Sequence, residues 1–350
     1  MTPRFLARSA AALLVLIAAV TAWAAPASAA LPDRFAFVLW NGAATVPTGT
    51  TPAATSVVTG PVGRYRVIFP GAGAPGGVVH VTAINTGPFW CQVNTFGPAG
   101  PDEVVYIDCY RAGGVPAFTA FTAFFESSSP PPIPINGRFG YVDSQASGAL
   151  VSQYNSMGSV NNSTLLSTGQ WMVRMPALGT AGPLDGSAQA TAVNAGAVRC
   201  KVRNWQSLPA EQRIFVSCFG PGGAPVNTRF TLTWQYNQSL YGAGWPPKYF
   251  GYLFYAPGAG PATTNFNSQL GLNANTVSGG AGLYLVRFPR IGFTPDTIQV
   301  TAAGGTSDFC NLLTYWTHSA PDTLVRDVSC YNNAGTHVNT GFLISDNAAL

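Results

Sequence analysis

Cys91, Cys109, Cys200, Cys218, Cys310 and Cys330 are the only cysteines in the chain, and they constrain the fold because they fall in three pairs with matching surroundings. Cys91-Gln-Val-Asn-Thr-Phe runs on to Val104-Val-Tyr-Ile-Asp-Cys109. Its counterparts run from Cys200-Lys-Val-Arg-Asn-Trp to Ile214-Phe-Val-Ser-Cys218, and from Cys310-Asn-Leu-Leu-Thr-Tyr-Trp to Val325-Arg-Asp-Val-Ser-Cys330. The midpoints of the pairs are Gly100 in a Gly-Pro-rich segment, Pro209, and Ala320 beside Pro321, all turn signals. A chain folding back there sets each cysteine opposite its partner, close enough for a disulfide. The register then predicts the faces. Val93 opposes Ile107, Val202 opposes Val216 and Leu312 opposes Val328, whereas the intervening pairs Gln92/Asp108, Lys201/Ser217 and Asn311/Ser329 are polar. Agreement in three copies is what an antiparallel ladder with one core face requires, since a slip of one residue would invert it. Each bridge closes a loop of about 20 residues and stabilises its domain by roughly 3 kcal/mol in the chain-entropy account.

The rest of the chain repeats with the same period. Aromatic strands open each copy: Arg34-Phe-Ala-Phe37, Arg138-Phe-Gly-Tyr141 and Tyr249-Phe-Gly-Tyr252. Alternating strands follow, each after a glycine and each ending at a proline: Gly63 to Pro70, Gly169 to Pro176 and Gly282 to Pro289. In these the period of two predicts core positions at Tyr65, Val67 and Phe69, and at their counterparts Trp171, Val173, Met175 and Tyr284, Val286, Phe288. Next come Val79 to Ala83, Ala188 to Ala192 and Ile298 to Ala302, the cysteine hairpin, and a closing strand. The expected fold is all-β: three tandem antiparallel β-sandwich repeats, Ig-like or jelly-roll-like, each with one disulfide inside the domain. The expected limits are 31–128, 136–238 and 248–350. Ser127 to Pro134 reads as a semi-rigid polyproline spacer. The second joint, with Tyr241 and Trp245, reads as packed against a neighbouring domain, so the second and third copies are expected to be more fixed than the first and second.

Arg4 and Arg8, an apolar run from Ala10 to Val20 and Ala-Pro-Ala-Ser-Ala-Ala up to Ala30 read as a cleaved signal peptide, residues 1–30. The run is shorter than a bilayer span needs, so no membrane attachment is expected after cleavage. Evenly paired cysteines suit an oxidising compartment, and the protein is expected to be secreted and extracellular, free or associated with the cell surface. Without Arg4 and Arg8 the chain keeps 15 basic and 13 acidic residues. A balance so close to neutral excludes nucleic acid as the expected partner.

The chemistry-bearing residues do not assemble into a known motif. His80 aligns with Gln189 and Gln299 and reads as a strand-surface residue; His337 aligns with Pro116 and Pro225; His318 lies at the third hairpin turn near Asp322. No Gly-x-Ser-x-Gly, phosphate loop or His-Glu-x-x-His occurs. Acids recur at the hairpin turns as Asp102-Glu103, Glu211 and Asp322, which reads as solvated turns. With all cysteines in bridges, no catalytic residue, metal site or cofactor is assigned.

The candidate binding residues are aromatic. Counting five from the first cysteine gives Phe96, Trp205 and Tyr315, on the polar parity of the hairpin; Tyr106 and Phe215 share that parity on the return strand, with Trp316 next to Tyr315. Open rings on a rigid sheet stack on sugars and mark interfaces. A bulge near the hairpin tip, or a covering neighbour, would instead turn them inward.

The Gly-x-Tyr-x-Val-x-Phe-Pro strand, the Gln-Val-Thr-Ala strand, the two-cysteine hairpin and the Pro-Val-Asn-Thr-x-Phe strand together resemble repeats of uncharacterised secreted tandem-repeat proteins of high-GC Gram-positive bacteria. The resemblance implies export and a repeated β domain, and no activity. The first copy departs from it, with Pro-Ala-Phe-Thr for Pro-Val-Asn-Thr. The expected function is a non-enzymatic, multivalent binding module for a polysaccharide or other extracellular polymer. The alternative is a structural envelope or matrix protein with its copies about a pseudo-threefold axis, and the third reading, a hydrolase, requires His and carboxylate converging in a cleft.

Overall fold

In the computed structural model, which describes residues 33–129, 137–180, 182, 185–242, 249–258 and 264–350, each third of the chain contributes the same six main strands. The first supplies β1 (Arg34–Trp40), β2 (Arg64–Phe69), β3 (Val78–Ile84), β4 (Phe89–Ala99), β5 (Asp102–Arg111) and β6 (Ala120–Ser127). The second supplies β7 (Arg138–Ser144), β8 (Gln170–Pro176), β9 (Ser187–Val193), β10 (Arg199–Leu208), β11 (Glu211–Phe219) and β12 (Arg229–Tyr236). The third supplies β13 (Phe250–Tyr255), β14 (Leu283–Phe288), β15 (Asp296–Ala303), β16 (Phe309–Leu312), β17 (Asp322–Tyr331) and β18 (Gly341–Ala348). No α-helix occurs among the described residues, and none is long and apolar enough to cross a membrane.

Each repeat is a sandwich of two three-stranded halves, β1-β6-β3 against β4-β5-β2 in the first and the equivalents in the others. Its apolar core lies between the halves: Val67, Phe69, Val93 and Ile107 in the first, Trp171, Val173, Val202 and Val216 in the second, Tyr284, Val286, Leu312 and Val328 in the third. The cysteine register is as the sequence predicts. Cys91 faces Cys109, Cys200 faces Cys218 and Cys310 faces Cys330, with Cα separations of 4.1, 4.1 and 4.0 Å. The glycine before each alternating strand has a backbone reason. Gly63, Gly169 and Gly282 have φ of 78°, 71° and 85°, and a Cβ there would lie 2.5 to 2.9 Å from the carbonyl oxygens of Cys109, Cys218 and Cys330. Those glycines accept the amides of the same cysteines at 2.7, 2.9 and 2.9 Å, so the motif ties β2, β8 and β14 to the bridge.

The halves continue into the neighbouring repeats. β3 of the first repeat joins β16 of the third in parallel, with Ile84 opposite Leu312; β9 of the second joins β4 of the first, with Val193 opposite Val93; β15 of the third joins β10 of the second, with Ala303 opposite Val202. The result is one eight-stranded and two nine-stranded sheets, each built half from one repeat and half from another. The three joins close a cycle, so the repeats surround a pseudo-threefold axis and residues 33–350 form one body. Equivalent amides seal the joins: Asn85 N donates to Leu312 O, Asn194 N to Val93 O and Gly304 N to Val202 O, at 2.8, 2.9 and 3.0 Å.

This arrangement corrects two sequence expectations. The first and second repeats share a sheet just as the second and third do, so no pair is the more fixed. The polar hairpin face is not solvated, because Gln92, Lys201 and Asn311 are buried against the next repeat. The second joint does pack: Leu240 and Tyr241 are buried with Phe37 and Phe124 of the first repeat. The signal segment, Pro130 to Pro134 of the first spacer and Trp245 lie outside the described residues.

Candidate functional site on the pseudo-threefold axis

The three central strands β3, β9 and β15 are buried along their whole length. Their apolar residues enter the three cores, and their polar residues meet at the axis. Thr82 Oγ1 accepts from Val300 N at 2.9 Å, Thr301 Oγ1 accepts from Ala190 N at 3.1 Å, and Thr191 Oγ1 lies 3.1 Å from His80 Nδ1. His80 Nε2 is 3.1 Å from Thr233 Oγ1, and Gln299 reaches Thr82, Thr297 and Thr122. His80 is therefore an axial residue bridging two repeats, not a strand-surface one. Burial pushes its pKa down to about 3, which keeps the ring neutral.

Further along the axis, the residues just before the first cysteine of each hairpin come together. The Arg199 guanidinium carbon lies 5.0 Å from the Trp90 ring centre and 4.9 Å from that of Phe309, and the two rings are 5.3 Å apart. Arg199 Nε and one terminal nitrogen donate to Ser307 O at 3.2 Å, and Asn333 Oδ1 also accepts from it. Beside this cluster lies a cavity of about 50 Å³ lined from all three repeats, by Trp90, Gln92, Thr191, Lys201, Thr301 and Asp308 among others. Burial pulls the Lys201 ammonium down to about 8, with Asp308 opposing that shift and Arg199 adding to it.

The predicted aromatic residues do not form one open face. A bulge between Val93 and Thr95 sets Phe96 opposite Val105, and one between Val202 and Asn204 sets Trp205 opposite Ile214, so both rings turn toward the core. Each ring marked by the five-residue spacing sits at a seam. Phe96 lies under the Arg229 guanidinium at 5.2 Å, Trp205 meets Phe254 edge-on at 4.9 Å, and the Tyr315 hydroxyl donates to Asn41 O at 3.0 Å. Trp316 is buried, Phe215 is half-buried, and Tyr106 is the one ring of the set that is exposed, at 37%.

The acids at the hairpin turns are mostly enclosed, against expectation. Glu211 pairs with Arg174 and Arg213, and Asp322 with Arg287. In the first repeat Ile68 takes the position of Arg174 and Arg287, the counterpart acid Asp102 accepts from Gly71 N at 3.0 Å, and the next residue, Glu103, is fully buried with an amide contact from Ala74 at 3.4 Å. Burial raises its pKa to about 8, a shift that the Ala74 amide partly offsets. Sequence reasoning also missed a buried network in the third repeat. Asp296 accepts from Trp316 Nε1 and from His318 Nε2, both at 2.9 Å, and Asp346 lies beside it. Burial, and then the Asp296 charge, pushes the Asp346 pKa well above the usual carboxylate range. The bond to Asp296 raises the His318 pKa. Both carboxyls have no solvent exposure, while the His318 side chain keeps 21% of its own. Asp346 occupies the core position that Phe125 and Trp234 fill in the other repeats, a substitution visible in the sequence alone.

Among the described residues no group of three or more His, Cys, Asp or Glu side chains is placed to hold a metal ion. Compared with known proteins, the chain matches no protein family, no curated protein and no solved structure.

Proposed function

We propose that this is an exported, non-enzymatic structural protein of the cell envelope or extracellular matrix, working as one rigid threefold body. One observation carries this reading: every sheet is shared between two repeats. His80 bridges threonines, Phe96, Trp205 and Tyr315 clasp the next repeat, and the Asp296 carboxylate that holds His318 is fully buried. Three bridges closed within repeats suit service in an oxidising compartment.

Polymer binding is the second reading, and the outward Tyr106 and half-buried Phe215 favour it. Sedimentation of the mature protein with insoluble cellulose, chitin and cell-wall polysaccharide distinguishes the two. A structural protein stays in the supernatant with the pure polysaccharides. Retention that is lost in Tyr106→Ala with Phe215→Ala would establish the binding module instead.

A further inference from the structure

The axial cavity holds an unbalanced charge. Lys201 Nζ and Arg199 Nη1 have no hydrogen-bond partner, and the two residues are only 3% and 6% exposed. The equivalents of Lys201 show what is missing. Gln92 donates to the carbonyls of Asn194 and Gly196 at 2.5 and 2.7 Å, and Asn311 donates to those of Gly87 and Phe89 at 2.8 and 3.1 Å. Each uses the loop of the neighbouring repeat. The loop facing Lys201 is Gly304 to Ser307, where Arg199 already occupies the Ser307 carbonyl.

A buried ammonium without a partner is costly, and here Lys201 shares the cavity lining with a second cation, Arg199, that also keeps an unpartnered buried nitrogen. Asp308 is the one carboxylate in the lining; it accepts from Thr306 and is half-exposed. Two cations against one anion leave the lining a single positive charge. We propose that the cavity binds one small monovalent inorganic anion of the halide class between Lys201 Nζ and Arg199 Nη1. A volume of about 50 Å³ is several times the roughly 10–15 Å³ that one water requires, and falls well short of the ~300 Å³ at which pockets for organic ligands begin.

The test uses the full mature protein at constant ionic strength, with sodium gluconate exchanged stepwise for sodium chloride. A bound halide raises the melting midpoint with the logarithm of chloride concentration once above its dissociation constant, by roughly 3 °C at a hundredfold excess. Lys201→Gln, which puts the Gln92 side chain at this place, abolishes the difference between the two salts. Crystals of the wild type grown with bromide give an anomalous peak between the two nitrogens, and this arm holds even where the variant fails to fold. Equal midpoints in the two salts, an unchanged shift in Lys201→Gln, or a bromide crystal with water alone in the cavity would each overturn the proposal.

Discussion

Trp205 of the second repeat meets Phe254 of the third edge-on, with ring centres 4.9 Å apart and planes at 79°. The contact closes the seam where β10 and β15 run in parallel, and Trp205 Nε1 donates to Asp185 O at 3.1 Å. A ring that sequence spacing marks for an external partner is thereby spent on the protein's own next repeat.

Truncation of that ring is expected to cost the whole body. Trp205→Ala should lower unfolding stability by about 3–5 kcal/mol, the range for large buried aromatics, and Tyr106→Ala by roughly 0.5 kcal/mol or less. A double-mutant cycle of Trp205 with Phe254 should return a coupling of about 0.5–1.5 kcal/mol. Chemical denaturation of the wild type, Trp205→Ala, Phe254→Ala, their double variant and Tyr106→Ala measures all three quantities.

Glu103 makes stability fall as pH rises. Its folded pKa of about 8 lies above the unfolded value, so the unfolded chain ionises first and the penalty grows from near pH 4.5 to pH 8. Glu103→Gln should flatten that limb and gain a few kcal/mol at most at pH 8.5, at about 1.4 kcal/mol per pKa unit. Glutamine is the residue that the second repeat carries at the equivalent place, as Gln212.

His80 acts on the acid side with the opposite slope. Its folded pKa of about 3 lies below the unfolded value, so stability is full above about pH 6.5 and is lost as pH falls toward 3. His80→Gln should match the wild type near pH 7 and be the more stable protein at pH 4.5, by on the order of 2 kcal/mol. Thermal melts across pH 4–7.5 check it; parallel curves for both proteins would show that His80 takes up a proton in place.

Much of the fold was legible because its signals are local. The opposition of Cys91 to Cys109 and of Val93 to Ile107 follows from a turn and a period of two, and three copies confirm the register. The seams were not legible, because each parallel join rests on one residue pair, such as Val193 with Val93, and leaves no periodic mark. The bulge at Val93/Thr95 then reverses the parity that would have exposed Phe96. One signal was available: on the face of β3, β9 and β15 that carries His80 the polar positions are His80, Thr82, Ser187, Gln189, Thr191, Thr297, Gln299 and Thr301, with no ordinary charged residue among them. A sheet face facing water would carry charge, and a face of neutral hydrogen-bonding groups belongs in a buried seam. The His318–Asp296–Asp346 network draws on three separate strand regions and could be found only in three dimensions.

The central claim is that sheets continue from repeat to repeat, and the amides of Asn85, Asn194 and Gly304 report on it directly, since each donates to a carbonyl of another repeat. Native-state hydrogen exchange, resolved residue by residue, should find these three amides opening only with global unfolding, alongside those of Val67 and Val173 in the cores. Fast exchange at all three, with the cores still protected, would mean that the repeats are separate beads and would contradict the account.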